Sequence, residues 1–129
     1  VLGNSVSQKG SNITSESLRF DFAFDRKMTD DERSKVEENV NKKIEAKIPV
    51  NKGVMKKSEA EKTGALHFFG DKYGDEVNVY YIGDSLEEAY SKEFCGGPHV
   101  QNTAVLGKFK IQKEEAVSAG IRRIKAILE

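Results

Sequence analysis

Hydrophobic and polar residues alternate in three segments of the chain, and alternation with a period of two predicts a half-buried strand. The segments are SLRFDFAF (18–25), EVNVYYI (76–82) and GKFKIQ (107–112). Each places its apolar side chains on one face, and the sets are Leu18, Phe20, Phe22 and Phe24, then Val77, Val79 and Tyr81, then Phe109 and Ile111. Residues 3–17 are rich in Gly, Ser and Asn, and this composition predicts a loop.

A helical period follows the first predicted strand. Thr29 and Glu32 have the spacing of a capping box, which predicts the start of a helix. Apolar residues then recur every four positions and predict one buried stripe, formed by Val36, Val40, Ile44 and Ile48. Pro49 is expected to end this helix. Ser58 and Glu61 predict a second capping box before a short helix that ends near Gly64.

The rest of the chain gives weaker signals. Gly70 and Gly74 predict a turn between them, and residues 86–90 fit a single helical turn. The C-terminal AGIRRIKAIL (119–128) fits a helical period, although its isoleucines also suit a strand, and periodicity alone favours a helix. Together these elements predict an α+β fold, with mostly antiparallel strands and helices on one face, in a single domain spanning residues 1–129.

Composition excludes some classes of protein. A chain of 129 residues can bury one hydrophobic core, and its 21 basic residues balance 21 acidic ones, so net charge neither requires nor excludes a nucleic-acid partner. One cysteine cannot form an internal disulfide, which fits the reducing cytoplasm. No apolar run approaches the ~20 residues of a membrane span. The chain begins with Val1 rather than Met, so we expect a fragment of a longer protein that lacks its upstream part.

The segment EFCGGPHVQNT (93–103) contains the single cysteine, Cys95, and one of the two histidines, His99. Three interpretations are open: half of a zinc site, a catalytic thiol with its base, or a Gly-Pro turn with an incidental Cys and His. Zinc needs about four ligands, or three and a water molecule. The other histidine, His67, lies in an apolar LHFF run that is more typical of a packed core residue than of a ligand.

Six blocks along the chain resemble, in order, the editing region of alanyl-tRNA synthetase. This region is the second additional domain, shared with threonyl-tRNA synthetase and with free-standing alanyl-tRNA editing proteins. The blocks are QKGS (8–11), LRFDF (18–22), FGDKYGDEV (69–77), EFCGGPHV (93–100), GKFKI (107–111) and AGIRRIKAI (119–127). The resemblance covers nearly the whole chain. It implies a strand at the C-terminal block, and we follow it there rather than the helical period.

The resemblance also implies site residues. In the family a C-x-x-x-H pair and an upstream H-x-x-x-H pair hold zinc, so Cys95 and His99 correspond to half of the site, and the other half would precede Val1. Gln8 matches a residue that lines the editing pocket, and Arg122 and Arg123 match arginines near it. Without the resemblance these three positions would be interpreted as a loop glutamine and a solvated basic pair.

Two positions depart from the alanyl pattern. Pro98 stands where alanyl enzymes usually have Thr, as in threonyl enzymes, and Ala104 replaces a common Gly. Because Pro98 has no hydroxyl, we expect Gln8 or Thr103 to supply the hydrogen bond that selects serine. The FGDKYGDEV and AGIRRIKAI blocks still favour the alanyl side.

The resemblance implies hydrolysis of the ester that joins serine or glycine to tRNA for alanine, with the acceptor end of that tRNA and the rest of the synthetase as partners. Aminoacylation with ATP would belong to a different, absent domain. The alternatives are a non-catalytic module that binds the tRNA acceptor end, and the editing domain of a threonyl-type synthetase or a free-standing editor. We expect the isolated chain to be inactive, because half of the zinc site is missing.

Overall fold

Antiparallel strands and two α-helices form the part of the protein that the computed structural model describes, residues 1–67 and 74–129. The predicted α+β class is confirmed. The backbone groups into two compact units, one from residues 1–44 and 106–129 and the other from residues 45–105. The predicted turn from Gly70 to Gly74, much of the FGDKYGDEV block and part of the LHFF run lie outside the described residues.

The first unit contains a four-stranded antiparallel sheet in the order β1-β2-β7-β6. Its strands are β1 (Gln8–Ile13), β2 (Leu18–Ala23), β6 (Phe109–Ser118) and β7 (Ile121–Leu128). One face is packed into a hydrophobic core, whose buried members are Phe22, Met28, Ile44, Phe109, Ile111, Ile124 and Ala126. The alternation predicted for residues 18–25 and 107–112 is therefore confirmed.

Two predictions for this unit need correction. Residues 3–17 are not all loop, because β1 pairs with β2; β1 is largely exposed at the sheet edge and so lacks apolar alternation. The helix that periodicity favours for the C-terminal segment is wrong. The segment forms the strand that the resemblance implies. A core-facing position of β7 is occupied by Arg122, opposite Phe22, and this polar residue interrupts the apolar alternation. Gly120, with a φ of 74°, makes the turn from β6 into β7.

Helix α1 (Asp30–Glu45) begins with the predicted capping box. The Thr29 amide donates to the Glu32 carboxylate at 2.9 Å, and the Glu32 amide donates to the Thr29 hydroxyl oxygen at 3.1 Å. Val36, Val40 and Ile44 pack against the core as predicted. The helix nevertheless ends at Glu45, four residues before Pro49, and Ile48 lies beyond it.

Helix α1 also covers the backbone of β6, the strand at the other edge of the sheet. The Asn41 side chain bonds the Phe109 backbone twice, accepting from its N–H at 2.7 Å and donating to its carbonyl at 2.9 Å. The Ile111 N–H donates to Glu37 at 2.6 Å, and the Ile111 carbonyl accepts from Arg33 at 2.8 Å. These contacts satisfy edge groups that would otherwise be open to pairing with another strand.

The second unit contains a three-stranded antiparallel sheet in the order β3-β4-β5. The strands are β3 (Val50–Lys56), β4 (Glu76–Ile82) and β5 (Ser91–Phe94), and a short helix α2 (Lys57–Lys62) follows β3. Its core consists of Ala60, Ala65, Val77, Val79 and Phe94. The strand predicted at 76–82 is confirmed.

Two further predictions for the second unit are wrong. Ser58 does not cap α2: the N-cap is Lys56, which makes no side-chain capping bond, because the chain enters the helix directly from β3. The segment 86–90 contains no helix, and only residues 86–88 form a turn. The helix ends as predicted, at Lys62, and Gly64 follows with a φ of 78°.

Candidate metal site

Strand β5 positions the residues of the candidate site. Successive side chains of a strand point to opposite faces, so Glu93 and Cys95, two positions apart, project to the same side. Phe94, between them, points the other way and is buried in the core of the second unit. The backbone N–H of Cys95 donates to the Asn78 carbonyl at 3.1 Å, which keeps Cys95 beside β4 although β5 ends at Phe94.

The Gly96-Gly97-Pro98 turn brings His99 back to the same side. The sulfur of Cys95, a carboxylate oxygen of Glu93 and a ring nitrogen of His99 lie within 4.8 Å of one another. The His99 Nε2 atom is 3.5 Å from Glu93 Oε1. The Gly97 N–H donates to Cys95 Sγ at 3.4 Å, and this bond orients the sulfur. The predicted pair of Cys95 and His99 is thus brought together.

Tyr80 of β4 supports this cluster. It lies opposite Glu93 in the β4–β5 register, and its ring stacks on the His99 imidazole with a centroid separation of 4.0 Å and an interplanar angle of 22°. A stacked ring restricts the imidazole to one plane. His99 therefore presents its nitrogens along the sheet surface, toward Glu93 and Cys95.

His67 lies apart from the cluster. Its ring stacks on Phe94, with the centroids 4.9 Å apart, and its Nδ1 atom is 3.2 Å from the Ala65 carbonyl oxygen. Phe94 points to the opposite face of β5 from Glu93 and Cys95, so the three-donor group does not include His67. The prediction of a packed core residue is wrong, because His67 is exposed although its ring stacks on Phe94.

The other predicted pocket residues have structural partners of their own. Gln8 begins β1 beside a bulge, and its side-chain amide donates to the Ser11 hydroxyl at 3.1 Å. Thr103 is buried, and its backbone N–H donates to the Ile48 carbonyl while its hydroxyl oxygen accepts from the Ile48 N–H, both at 2.9 Å. Gln8 belongs to the first unit and Thr103 to the second.

Arg122 and Arg123 are adjacent on β7 and so point to opposite faces of the sheet. Arg122, on the core face, donates to Glu114 at 2.9 Å, and the Glu114 side chain is only 3% exposed. Arg123 makes two bonds to Asp21, at 2.7 and 3.1 Å, and these bonds hold the pKa of the Asp21 carboxyl below its ordinary value. Neither arginine is the solvated residue that sequence alone suggested, and a role in one shared pocket stays a prediction for both.

Glu93 and Tyr80 are the residues that sequence reasoning missed. Glu93 is the first residue of the segment EFCGGPHVQNT, two positions before Cys95. This spacing places both side chains on one face of a strand, but the sequence did not predict a strand at residues 91–94. Tyr80 lies on a strand that was predicted, but its partner is set by the register with β5, which the sequence does not reveal.

Residues 77–125, which include this cluster, match the family described as the threonyl and alanyl tRNA synthetase second additional domain. The chain is 59% identical over 128 residues to the alanine–tRNA ligase of Borrelia garinii subsp. bavariensis and 54% identical over 129 residues to that of Treponema denticola. The predicted resemblance to alanyl-tRNA synthetase is confirmed. The alanine–tRNA ligase of Shouchella clausii is 46% identical over 127 residues.

These matches cover nearly all of this chain and a small part of each relative. The Borrelia and Treponema alignments take in 99% and 100% of the chain but 21% of each ligase, and the Shouchella alignment takes in 14% of its ligase. The chain thus spans about a fifth of the length of the first two enzymes. Among the described residues, no helix is long and apolar enough to cross a membrane.

Proposed function

We propose that this chain is the part of an alanine–tRNA ligase that hydrolyses the ester joining serine or glycine to tRNA for alanine. The observation that carries the proposal is the group of zinc-type donors, Cys95 and His99 with Glu93 beside them, inside the segment that matches the second additional domain. Its partners would be the acceptor end of that tRNA and the rest of the ligase. ATP-dependent aminoacylation is assigned to the rest of the ligase.

A separate hydrolytic site has a physical motive. A synthetic pocket that fits alanine cannot reject the smaller glycine, and it discriminates poorly against the added hydroxyl of serine. A second site that hydrogen-bonds the serine hydroxyl accepts serine and leaves alanine, because alanine would leave the polar group of the site unpaired. The aminoacyl ester is already activated, so no covalent nucleophile is needed, and Cys95 is better suited to hold a metal.

The donors at the site fit zinc. Thiolate sulfur and imidazole nitrogen are typical zinc ligands, and Cys95 and His99 would hold the ion. When bound, zinc would supply a positive centre able to orient the amino acid or to lower the pKa of a water molecule. The stacking of Tyr80 and the Gly97 N–H bond to the sulfur would keep the two ligands in place. A free thiol that has to stay reduced suits the cytoplasm.

Deacylation assays test this proposal. Ser-tRNA and Ala-tRNA, both made with tRNA for alanine, are incubated with the chain and with a longer form of the protein that includes upstream residues. We expect the longer form to release serine and spare alanine, and Cys95→Ala to abolish release, whereas Ser85→Ala, at a turn, should retain it. A longer form that binds the tRNA but leaves Ser-tRNA intact would favour the non-catalytic binding module instead.

The choice of tRNA separates the alanyl from the threonyl alternative. Both kinds of enzyme would remove serine, so the comparison is between Ser-tRNA for alanine and Ser-tRNA for threonine. We expect faster hydrolysis with the alanine tRNA. Faster hydrolysis with the threonine tRNA would contradict the assignment, and would point to the motif around Pro98 as the better guide.

A further inference from the structure

The outer face of the first sheet, opposite the hydrophobic core, carries two rows of residues without an apolar side chain. Residues that pair across neighbouring strands form each row, and both rows cross all four strands. The first row consists of Asn12, Arg19, Lys125 and Lys113, and the second of Gly10, Asp21, Arg123 and Glu115. We name these eight residues the basic face. They include four cations and two carboxylates, whereas the whole chain has a net charge of zero at pH 7.

The first row places three cations side by side. Arg19 lies opposite Lys125, and Lys125 lies opposite Lys113, so the row spans β2, β7 and β6 over about 10 Å. Like charges directly opposite each other in a sheet destabilise it. The side chains of Arg19, Lys125 and Lys113 are 39%, 48% and 60% exposed. The row therefore weakens the fold and is open to solvent, and a bound anion would relieve the repulsion.

The carboxylate of Asp21 does not neutralise Arg19. It accepts two hydrogen bonds from Arg123, at 2.7 and 3.1 Å, which use both of its oxygens. Arg19 Nε lies 3.8 Å from the same carboxylate, too far for a hydrogen bond. This nitrogen is buried and makes no hydrogen bond within the part of the chain that the structure describes. The charge of Arg19 is thus left over from the pairing of Asp21 with Arg123.

The other carboxylate, Glu115, is shared between two lysines. Its oxygens lie 3.1 Å from Lys113 Nζ and 3.7 Å from Lys125 Nζ. One negative charge cannot balance two positive ones, and ion pairs at an exposed surface contribute little stability. Both lysines can therefore turn to a more highly charged anion at small cost, because each has a long and flexible side chain.

We propose that the basic face binds the phosphate backbone of tRNA. The inference rests on the proposed function for the identity of the nucleic acid. It adds a contact surface in the first unit, whereas the candidate metal site belongs to the second. Lysine and arginine side chains are typical phosphate ligands, and they gain affinity by releasing the counterions of the backbone. The two rows lack the apolar centre of a protein–protein interface, so charge complementarity favours a polyanion as the occupant.

Binding of tRNA for alanine to the 129-residue chain, measured by fluorescence anisotropy at several salt concentrations, tests the inference. The test variant carries Lys113→Gln and Lys125→Gln. The matched control carries Lys35→Gln and Lys42→Gln on α1, which also removes two exposed lysines that pair with carboxylates. We expect the test variant to bind about tenfold or more weakly near 0.1 M salt. Its plot of log K against log salt should be shallower by about 2, because each lost phosphate contact lowers the slope by about 1.

A variant of opposite sign separates loss of a contact from damage to the fold. Glu115→Gln removes the carboxylate that the two lysines share, so tRNA binding should tighten by about threefold or more and become more dependent on salt. Misfolding would only weaken binding. Glu38→Gln is the matched control, because Glu38 pairs with a lysine on α1, and it should leave the affinity unchanged. Equal effects of the basic-face and α1 variants would show that only net charge matters and would overturn the inference, as would a chain that does not bind the tRNA at low salt.

Deacylation by the longer form distinguishes failure of this inference from failure of the proposed function. If the longer form hydrolyses Ser-tRNA with the same KM in the wild type and in the Lys113→Gln, Lys125→Gln variant, the basic face is not a tRNA contact, although the proposed function stands. If the basic-face variants change tRNA affinity as expected while Ser-tRNA stays intact, the inference stands and the hydrolytic function fails.

Discussion

Removing the Asn41 side chain should loosen the edge of the first sheet. Its two hydrogen bonds to the Phe109 backbone, at 2.7 and 2.9 Å, each contribute a net ~0.5–1.5 kcal/mol, so the pair contributes about 1–3 kcal/mol. Against this loss, alanine is a better helix former than asparagine by up to about 0.7 kcal/mol. Asn41→Ala is therefore expected to lower the free energy of unfolding by about 0.3–2.3 kcal/mol.

Asn39 is a closely matched control. It lies on the same helix and is exposed, so Asn39→Ala gains the same helix propensity without losing the edge contacts. The difference between the two variants isolates the bonds to Phe109, and we expect about 1–3 kcal/mol. Urea denaturation followed by circular dichroism gives the two free energies, and an unchanged m-value would show that the comparison is sound.

Amide hydrogen exchange gives a local test of the same contacts. The Phe109 N–H should exchange faster in Asn41→Ala than in the wild type, whereas Asn39→Ala should leave its rate unchanged. Equal stability of the two variants, with equal protection of Phe109, would refute the idea that α1 seals this edge of the sheet.

Three other predictions follow from the structure. Phe22 is 3% exposed, so Phe22→Ala leaves a cavity in the core and should lower the free energy of unfolding by about 3–5 kcal/mol in denaturation experiments. Arg19→Ala, on the opposite face of β2, should cost less than ~1 kcal/mol. Equal losses would contradict the assignment of these side chains to opposite faces of the strand. The hydrogen bond from Arg26 lowers the pKa of Glu32 from 4.5 to about 2. The free energy of unfolding of the wild type should therefore exceed that of Glu32→Gln by its full amount above pH ~4.5, and this difference should vanish as the pH falls to about 2. A difference that does not change with pH would contradict the bond. Pro98→Thr should raise the ratio of serine to alanine release by the longer form, and an unchanged ratio would show that residue 98 does not contact the amino acid.

The sequence predicted those strands in which one face is buried. In β2, β4 and β6 the apolar residues alternate with polar ones because only one face of each strand is packed into a hydrophobic core. The hydrophobic pattern did not predict β7, because Arg122 occupies a core-facing position where Glu114 neutralises its charge. It also did not predict β1, which is held by pairing with β2 rather than by burial. Strands that are held mainly by backbone hydrogen bonds to a neighbour cannot be predicted from their own hydrophobic pattern.

Capping boxes illustrate a second limit of the sequence. Thr29 and Glu32 form both bonds of the motif because Thr29 lies just before the first residue of the helix, at the end of an irregular segment. Ser58 and Glu61 have the same spacing, yet α2 continues directly from β3 and Ser58 lies inside it. The motif therefore identified a helix in both cases and its first residue in only one.

The candidate site depended on the shortest strand that the structure describes. Cys95 and His99 were predicted from their residue types and spacing, but Glu93 joins them only because residues 91–94 are extended, and SKEF carries no apolar alternation to indicate this. The register with β4 then places Tyr80 opposite Glu93 and under His99. A strand of four mostly polar residues is specified by its neighbours, so the carboxylate beside the predicted pair and the ring that supports His99 became visible only when the pairing of β4 with β5 was known.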